Sequence, residues 1–238
     1  MYDNRSVKLC YTPMYNLAGT YICCYLNTRS LHAHFDDVAS NYNILSCDVI
    51  ILAETRLNST DTDTEYKLEG YTQMYRNDQC SQPGARPPHG LIAYVKDGIS
   101  ILQTHKISSA HFETVHMCIH RPGEKEITQV IGIYISPASN WNSCINSITE
   151  LLKEIDIMDG TTVILGDFNM KSLISSPNYN QKIIGYFEDN YNMLQFINMP
   201  TTNNASTLDL CFSSSSVSCT SVWNHWSDHR TIAIAINS

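Results

Sequence analysis

The sequence predicts an α/β fold, a four-layer α/β sandwich of two packed mixed β-sheets flanked by helices. Three observations predict it. Apolar runs of strand length at 21–26, 48–53 and 161–165 are continuous rather than alternating, as strands covered on both faces require. Stretches of helical period lie beside those runs in both halves of the chain. Between them sits a block of shorter strand-like segments separated by Gly, Pro and Asp turns. Two sheets that each bury one face on the other and one face under a helix satisfy all three.

Residues 1–19 lack periodicity and contain Pro13 and Gly19, so they read as an arm or linker before a domain at 20–238. The run 21–26 ends at Asn27. Ser30 then offers an N-cap to a helix carrying Leu31, Phe35, Val38, Ala39 and Tyr42 at helical spacing, with Asp36 and Asp37 in its early part. The second buried strand, 48–53, ends at Glu54 and a polar loop follows at 58–65. Strand-like segments continue at 71–76, 91–96, 99–104, 112–119 and 127–135. Lys96-Asp97-Gly98-Ile99 predicts a hairpin, because Asp-Gly accepts the positive φ of a tight turn. A helix is expected over 140–157, where Ile145, Ile148, Leu151, Leu152 and Ile155 recur on one face. The strand 161–165 runs into Gly166-Asp167, and a short helix at 183–191 and strands at 207–212 and 230–236 complete the chain. No repeat of fixed period is visible, although both halves share buried strands that end in polar residues.

Composition narrows the function classes. With 238 residues, 43% hydrophobic and 16% charged, the chain can bury a large core. No run approaches the roughly 18 apolar residues that span a bilayer, and the first residues lack the apolar stretch of a secretion signal. The expected location is intracellular, nucleus or cytoplasm, without a membrane partner. The nine cysteines are odd in number and form no Cys-x-x-Cys pair, so buried reduced thiols are expected rather than disulfides or zinc. A net charge of −8 excludes a protein that coats nucleic acid through a global basic surface. It does not exclude a nuclease, whose clustered carboxylates push the count negative until a cation binds.

Polar residues collect at the predicted strand ends: Asn27, Glu54, Tyr134, Asp167 with Asn169, Asp209, and Asp228 with His229. Charge placed at the end of an apolar strand is expensive unless it converges on a cation or a cleft. Each alone has an ordinary explanation as a cap or turn residue. The set does not, and its order carries a resemblance. Leu26-Asn27, Ala53-Glu54-Thr55-Arg56-Leu57, Ile133-Tyr134-Ile135-Ser136-Pro137, Gly166-Asp167-Phe168-Asn169, Leu208-Asp209 and Ser227-Asp228-His229 follow one another as in the endonuclease/exonuclease/phosphatase superfamily. The wording is most similar to the apurinic-type endonuclease domains of mobile elements, found in non-LTR retrotransposons and in related helicase-fused transposon proteins.

The resemblance implies a hydrolase that cuts phosphodiesters with Mg²⁺, for which Mn²⁺ can substitute. Glu54, Asn27 and Asp228 are its implied metal ligands. Asp167 would deprotonate the attacking water, and Asn169 and Tyr134 would hold the phosphate. A protonated His229 would face the phosphate oxygens, with its ring oriented by Asp209. Arg56 and Trp226 are candidate substrate contacts, Trp226 with Trp223 as a wall of the site. In several DNA-repair members an extra acid lies two residues after the first Asn, and here that position is Arg29. The implied partner is DNA ahead of RNA, within a larger polyprotein. The alternatives from the same chemistry are an RNA deadenylase and a phosphoinositide phosphatase. A binding module without catalysis would be expected to lose an acid or the histidine, and this set is complete. His32 with His34, and His116 with His120, are read as surface or core histidines, and the Arg86-Pro-Pro-His89 segment as a surface loop.

Overall fold

The computed structural model describes residues 20–77, 89–108, 112–123, 126–139, 141–155, 160–169 and 177–237. The expected arm at 1–19 lies outside them. The elements in chain order are β1 (Thr20–Asn27), α1 (Leu31–Ala39), α2 (Tyr42–Leu45), β2 (Val49–Ala53), β3 (Tyr71–Asn77), β4 (Leu91–Lys96), β5 (Ser100–Ser108), β6 (Phe112–His120), β7 (Thr128–Ile135), α3 (Trp141–Glu154), β8 (Thr161–Asp167), α4 (Pro177–Tyr191), β9 (Leu194–Gln195), β10 (Asp209–Ser213), β11 (Val217–Val222) and β12 (Thr231–Asn237).

Two six-stranded sheets result, in the orders β11-β12-β1-β2-β4-β3 and β5-β6-β7-β8-β10-β9. Each is mixed as predicted. Each has one parallel pair at its centre, β1 with β2 and β7 with β8, and antiparallel strands on both sides. The helical connections α1–α2 and α3 supply the crossovers that parallel pairing demands. Side-chain alternation then sorts the apolar residues into three layers. Tyr21, Cys23 and Tyr25 of β1 meet Val115 and Met117 of β6 between the sheets. Ile22, Cys24 and Leu26 face outward beneath α1. Ile131 and Ile133 of β7 face outward against Ile148 and Leu151 of α3. Every described cysteine is a free thiol, six of them buried. Among the described residues no helix is long and apolar enough to cross a membrane.

Two local expectations are corrected. The Asp97-Gly98 turn forms, with Ile99 N–H donating to Lys96 O at 3.2 Å and Gly98 at φ 92°, but it is not a hairpin. Both edges of β4 are taken by β2 and β3, so the turn sends β5 to the other sheet. The helix expected through Tyr42 breaks at Ser40, and Asn41 recaps it by accepting from Asn43 N–H at 3.0 Å. That restart shifts the phase and leaves Tyr42 80% exposed. β9 and β11 are strands that the sequence pattern does not announce.

Between the sheets β7 carries no side chain at Gly132. A Cβ on Gly132 would stand 2.8 Å from Ile51 Cγ2 and 3.0 Å from Val115 Cγ1, inside van der Waals contact. Gly132→Ala therefore has to push the sheets apart or distort Ile51. Urea unfolding should show a loss of about 1–3 kcal/mol, the usual range for an overpacked core.

Candidate active site

The C-terminal ends of all four central parallel strands open at one end of the sandwich, and the antiparallel neighbours β10 and β12 begin there. Asn27 is the last residue of β1, Glu54 follows β2, Tyr134 is next to last in β7, and Asp167 ends β8. Asp209 opens β10, and His229 lies two residues before β12. Register aligns them further. Tyr134 pairs with Asp167 in the parallel ladder, and Asp167 pairs with Asp209 in the antiparallel one. Gly166 is required for that ladder, because a Cβ there would run into the Ile133 carbonyl oxygen.

Three side-chain hydrogen bonds then cross from one sheet to the other. The Asn27 carboxamide donates to Asp167 Oδ2 at 3.0 Å and to Glu54 Oε1 at 2.9 Å. The Tyr134 hydroxyl donates to the same Glu54 oxygen at 3.0 Å. His229 Nδ1 stands 3.0 Å from Asp209 Oδ2. The far ring nitrogen of His229 lies 3.7 Å from Asp167 Oδ2, so ring and carboxylate face the same space. Asn169 donates its backbone N–H to Asp167 Oδ1 at 2.9 Å and its amide to Ile135 O at 2.7 Å. Arg56 reaches Glu54 Oε2 at 3.4 Å, and Arg29 donates to Asp228 Oδ2 at 2.8 Å.

The electrostatics follow from burial and neighbours. Burial, then the opposing Asp209 charge, pushes the Asp167 carboxyl up to about 7, against the lowering effects of His229, the Asn27 amide and the Asn169 N–H. Burial pulls the His229 ring down, but the charge and hydrogen bond of Asp209, with Asp167 and Asp228, more than offset it and raise the ring to about 9. Tyr134 is pushed well above the usual phenol range, first by burial and then by Glu54, so it remains a donor.

The backbone is unusual at the same place. Arg29, Glu54, Arg56 and Asn169 all have positive φ, between 48° and 56°. Non-glycine residues held there cost on the order of 1–3 kcal/mol each and persist only where their surroundings fix them. Here Arg29 N–H donates to Asn27 Oδ1, Thr55 N–H to Gly90 O and Arg56 N–H to His89 O.

Asp167, Asp209 and His229 each bring a ligand atom within 4.8 Å of the others, so an acidic cluster able to hold a metal ion is present. His229 is a poor member of it, because a ring held protonated by Asp209 has no lone pair to give. The set Glu54, Asn27 and Asp228 offers oxygen atoms alone, which suits a hard cation. One of those atoms, Asp228 Oδ1, is buried and has no hydrogen-bond partner among the described residues. The residues present fit a divalent cation.

Nine of the ten residues expected at the site from sequence converge: Asn27, Glu54, Arg56, Tyr134, Asp167, Asn169, Asp209, Asp228 and His229. Trp226 stacks instead on His34 of α1, ring centroids 5.4 Å apart, and packs against the outer layer. Trp223 is 58% exposed. Three supporting residues were not expected as site residues, although Ser227 belongs to the Ser-Asp-His motif and His89 ends the segment read as a surface loop. His89 Nδ1 stands 3.1 Å from the Tyr134 hydroxyl. Ser227 Oγ donates to Asn27 O at 2.8 Å and accepts from His229 N–H at 3.1 Å. Thr201 Oγ1 accepts from Asp209 N–H at 3.1 Å. His116 is a buried core histidine on Gln129, at 3.0 Å.

Comparison with known proteins agrees with the motifs. Residues 128–233 match the family model described as endonuclease-reverse transcriptase. No curated protein matches the chain in sequence. Among solved structures, the catalytic domain of human Nocturnin with bound sulfate is 12% identical, covers 92% of this chain and 94% of its own, and has a TM-score of 0.67. The endonuclease domain of TRAS1, a telomere-specific non-LTR retrotransposon, is 13% identical over 92% and 98%, with a TM-score of 0.66. A mannosyl-6-phosphatase of Bacteroides thetaiotaomicron is 12% identical over 91% and 99%, also with a TM-score of 0.66. The chain has the fold of the endonuclease/exonuclease/phosphatase superfamily, a hydrolytic superfamily that includes nucleases and phosphatases.

The His229–Asp209 pair has a testable signature. Because the folded ring titrates near 9 against 6.5 for a free one, the pair contributes stability that is fully present below pH 6.5 and is lost as pH rises through about 9. In the metal-free protein, Asp209→Asn should move the NMR titration of His229 down by more than a pH unit. An unmoved titration would show that Asp209 does not set the ring's charge.

Proposed function

We propose that this protein is a Mg²⁺-dependent DNA endonuclease that nicks phosphodiester bonds on behalf of a mobile genetic element. The observation that carries the reading is the convergence of Glu54, Asp167, Tyr134 and the His229–Asp209 pair through bonds that cross the two sheets. Support for a nuclease comes from the motif wording and from the description of the family model matched by residues 128–233. A phosphatase neighbour with an equal TM-score means that the fold alone does not choose the substrate.

Glu54, with Asn27 Oδ1 and Asp228 Oδ1, would hold Mg²⁺. The bound cation would supply Lewis-acid stabilisation of charge on a phosphate oxygen. Asp167 is the base. Its carboxylate is half ionised near neutral pH, which matches a proton acceptor working there. The water oxygen bonds to phosphorus and its proton passes to Asp167. The ester P–O bond opposite breaks, and its oxygen leaves as an alkoxide that takes a proton from solvent, giving a hydroxyl end and a phosphate end. The Asn27 amide and the Asn169 N–H hold the two carboxylate oxygens, so the base presents a fixed edge. The imidazolium of His229 donates to the non-bridging oxygens, where charge grows, and the Tyr134 hydroxyl joins it by turning from Glu54 to the phosphate. Asp209 keeps the ring charged and oriented.

The reading is tested by incubating supercoiled plasmid with the protein and Mg²⁺. Open circles should accumulate, EDTA should stop them, and Asp167→Ala should slow nicking by about 10²–10⁴-fold, the usual contribution of a general base. Plasmid left intact while a sugar phosphate or poly(A) RNA is hydrolysed would overturn the DNA reading in favour of another superfamily substrate.

A further inference from the structure

A polyanion approaching this site meets Glu54, Asp167, Asp209 and Asp228 on a chain of net charge −8. Cations at the mouth must offset that repulsion. Arg121 sits at the opposite end of the sheet, on Thr20 O and Asp48 with its guanidinium over Tyr21. Arg76 is tied to Asn58 O, Asp61 O and Asp63 in the loop before β3. Arg230 follows His229 with its Nε buried. Among the described arginines that leaves Arg29 on Asp228 and Arg56 on Glu54.

These two occupy equivalent places. Each follows a site residue by two positions, Asn27 and Glu54, on the loops leaving the parallel pair β1 and β2. Each has a left-handed backbone, φ 55° and 56°. The loops are joined by Thr28 N–H to Ala53 O and Leu31 N–H to Thr55 O, both 2.9 Å. The base of Arg29 is fixed by its own N–H on Asn27 Oδ1 at 3.0 Å. Its side chain is 55% exposed and donates through Nη1 to Asp228, whose side chain is 43% exposed. A pair this exposed is worth about 0–1 kcal/mol, so it holds the group in place without committing it. The guanidinium has five donors and can keep Asp228 while forking onto a phosphate.

From this we propose that Arg29 is a substrate-binding residue that grips a backbone phosphate next to the scissile one, with Arg56 on the neighbouring loop. The inference rests on the nuclease reading and deepens it: the preferred substrate is a polynucleotide strand rather than an isolated phosphate ester. Asp228 serves two partners, keeping the guanidinium at the mouth and presenting its buried oxygen inward.

The test measures binding of a fluorescent DNA duplex by anisotropy, in Mg²⁺, with the Asp167→Ala chain to suppress cleavage. Adding Arg29→Gln should weaken binding about tenfold, the size of one charged hydrogen bond to phosphate. It should also lower the slope of log K against log salt by about 1, while Arg29→Lys keeps the slope. Duplexes with single methylphosphonates then locate the contact. At one position beside the scissile phosphate, neutralisation should weaken the arginine-bearing chain about tenfold and the Arg29→Gln chain hardly at all. Losses that multiply at every position, or an unchanged slope, would overturn the role of Arg29 and leave a nicking wild-type chain a nuclease. A wild-type chain that neither binds nor nicks duplex would remove both proposals.

Discussion

The rest of the site depends on how two sheets pack at their open end. Asn27 and Glu54 come from one sheet and Asp167 and Tyr134 from the other, and His229 and Asp209 are divided in the same way. The Asn27–Asp167, Tyr134–Glu54 and His229–Asp209 bonds all span the two sheets. The Asn27 amide is the shared joint, one nitrogen donating to carboxylates on both sides. Its geometry is set by the sheet spacing, which Gly132 permits against Ile51. Interior packing is dense and transmits small displacements, so the apolar layer between the sheets helps set the geometry of the candidate site.

Stability is surrendered at the same place. Asp167 and Asp209 face each other across an antiparallel ladder with both side chains buried, an arrangement that charge repulsion disfavours. Because the folded Asp167 carboxyl titrates near 7 rather than 3.8, its ionisation weakens the fold as pH rises through that window. The positive φ at Glu54 and Asn169 adds to the cost. These features sit together at the candidate site.

Much of this was legible in the sequence because buried strands leave continuous apolar runs, and a polar residue ending such a run is conspicuous. Asn27, Glu54 and Asp167 were visible for that reason. β11, with only Val217 buried and a Ser/Cys/Thr composition, has neither alternation nor an apolar run to read. The Asp97-Gly98 turn was read correctly as a turn, but which strand a chain joins depends on which edges are already occupied. The same limit applies within the site. That Asn27 meets Asp167, 140 positions away, is a product of sheet packing and not of spacing. Trp226 was placed at the site by its proximity to Asp228 in sequence, yet it turns outward to His34.

The central claim is a division of labour around Asn27, with the cation at the Glu54 corner and an uncoordinated, protonated His229 at the other. Anomalous diffraction from crystals soaked in Mn²⁺ would test it most directly. The account predicts a peak in contact with a Glu54 carboxylate oxygen, with the Asn27 amide still on Asp167 and His229 still on Asp209. A peak ligated by the far ring nitrogen of His229 together with Asp167 or Asp209 would contradict it, and would make that trio the metal site instead.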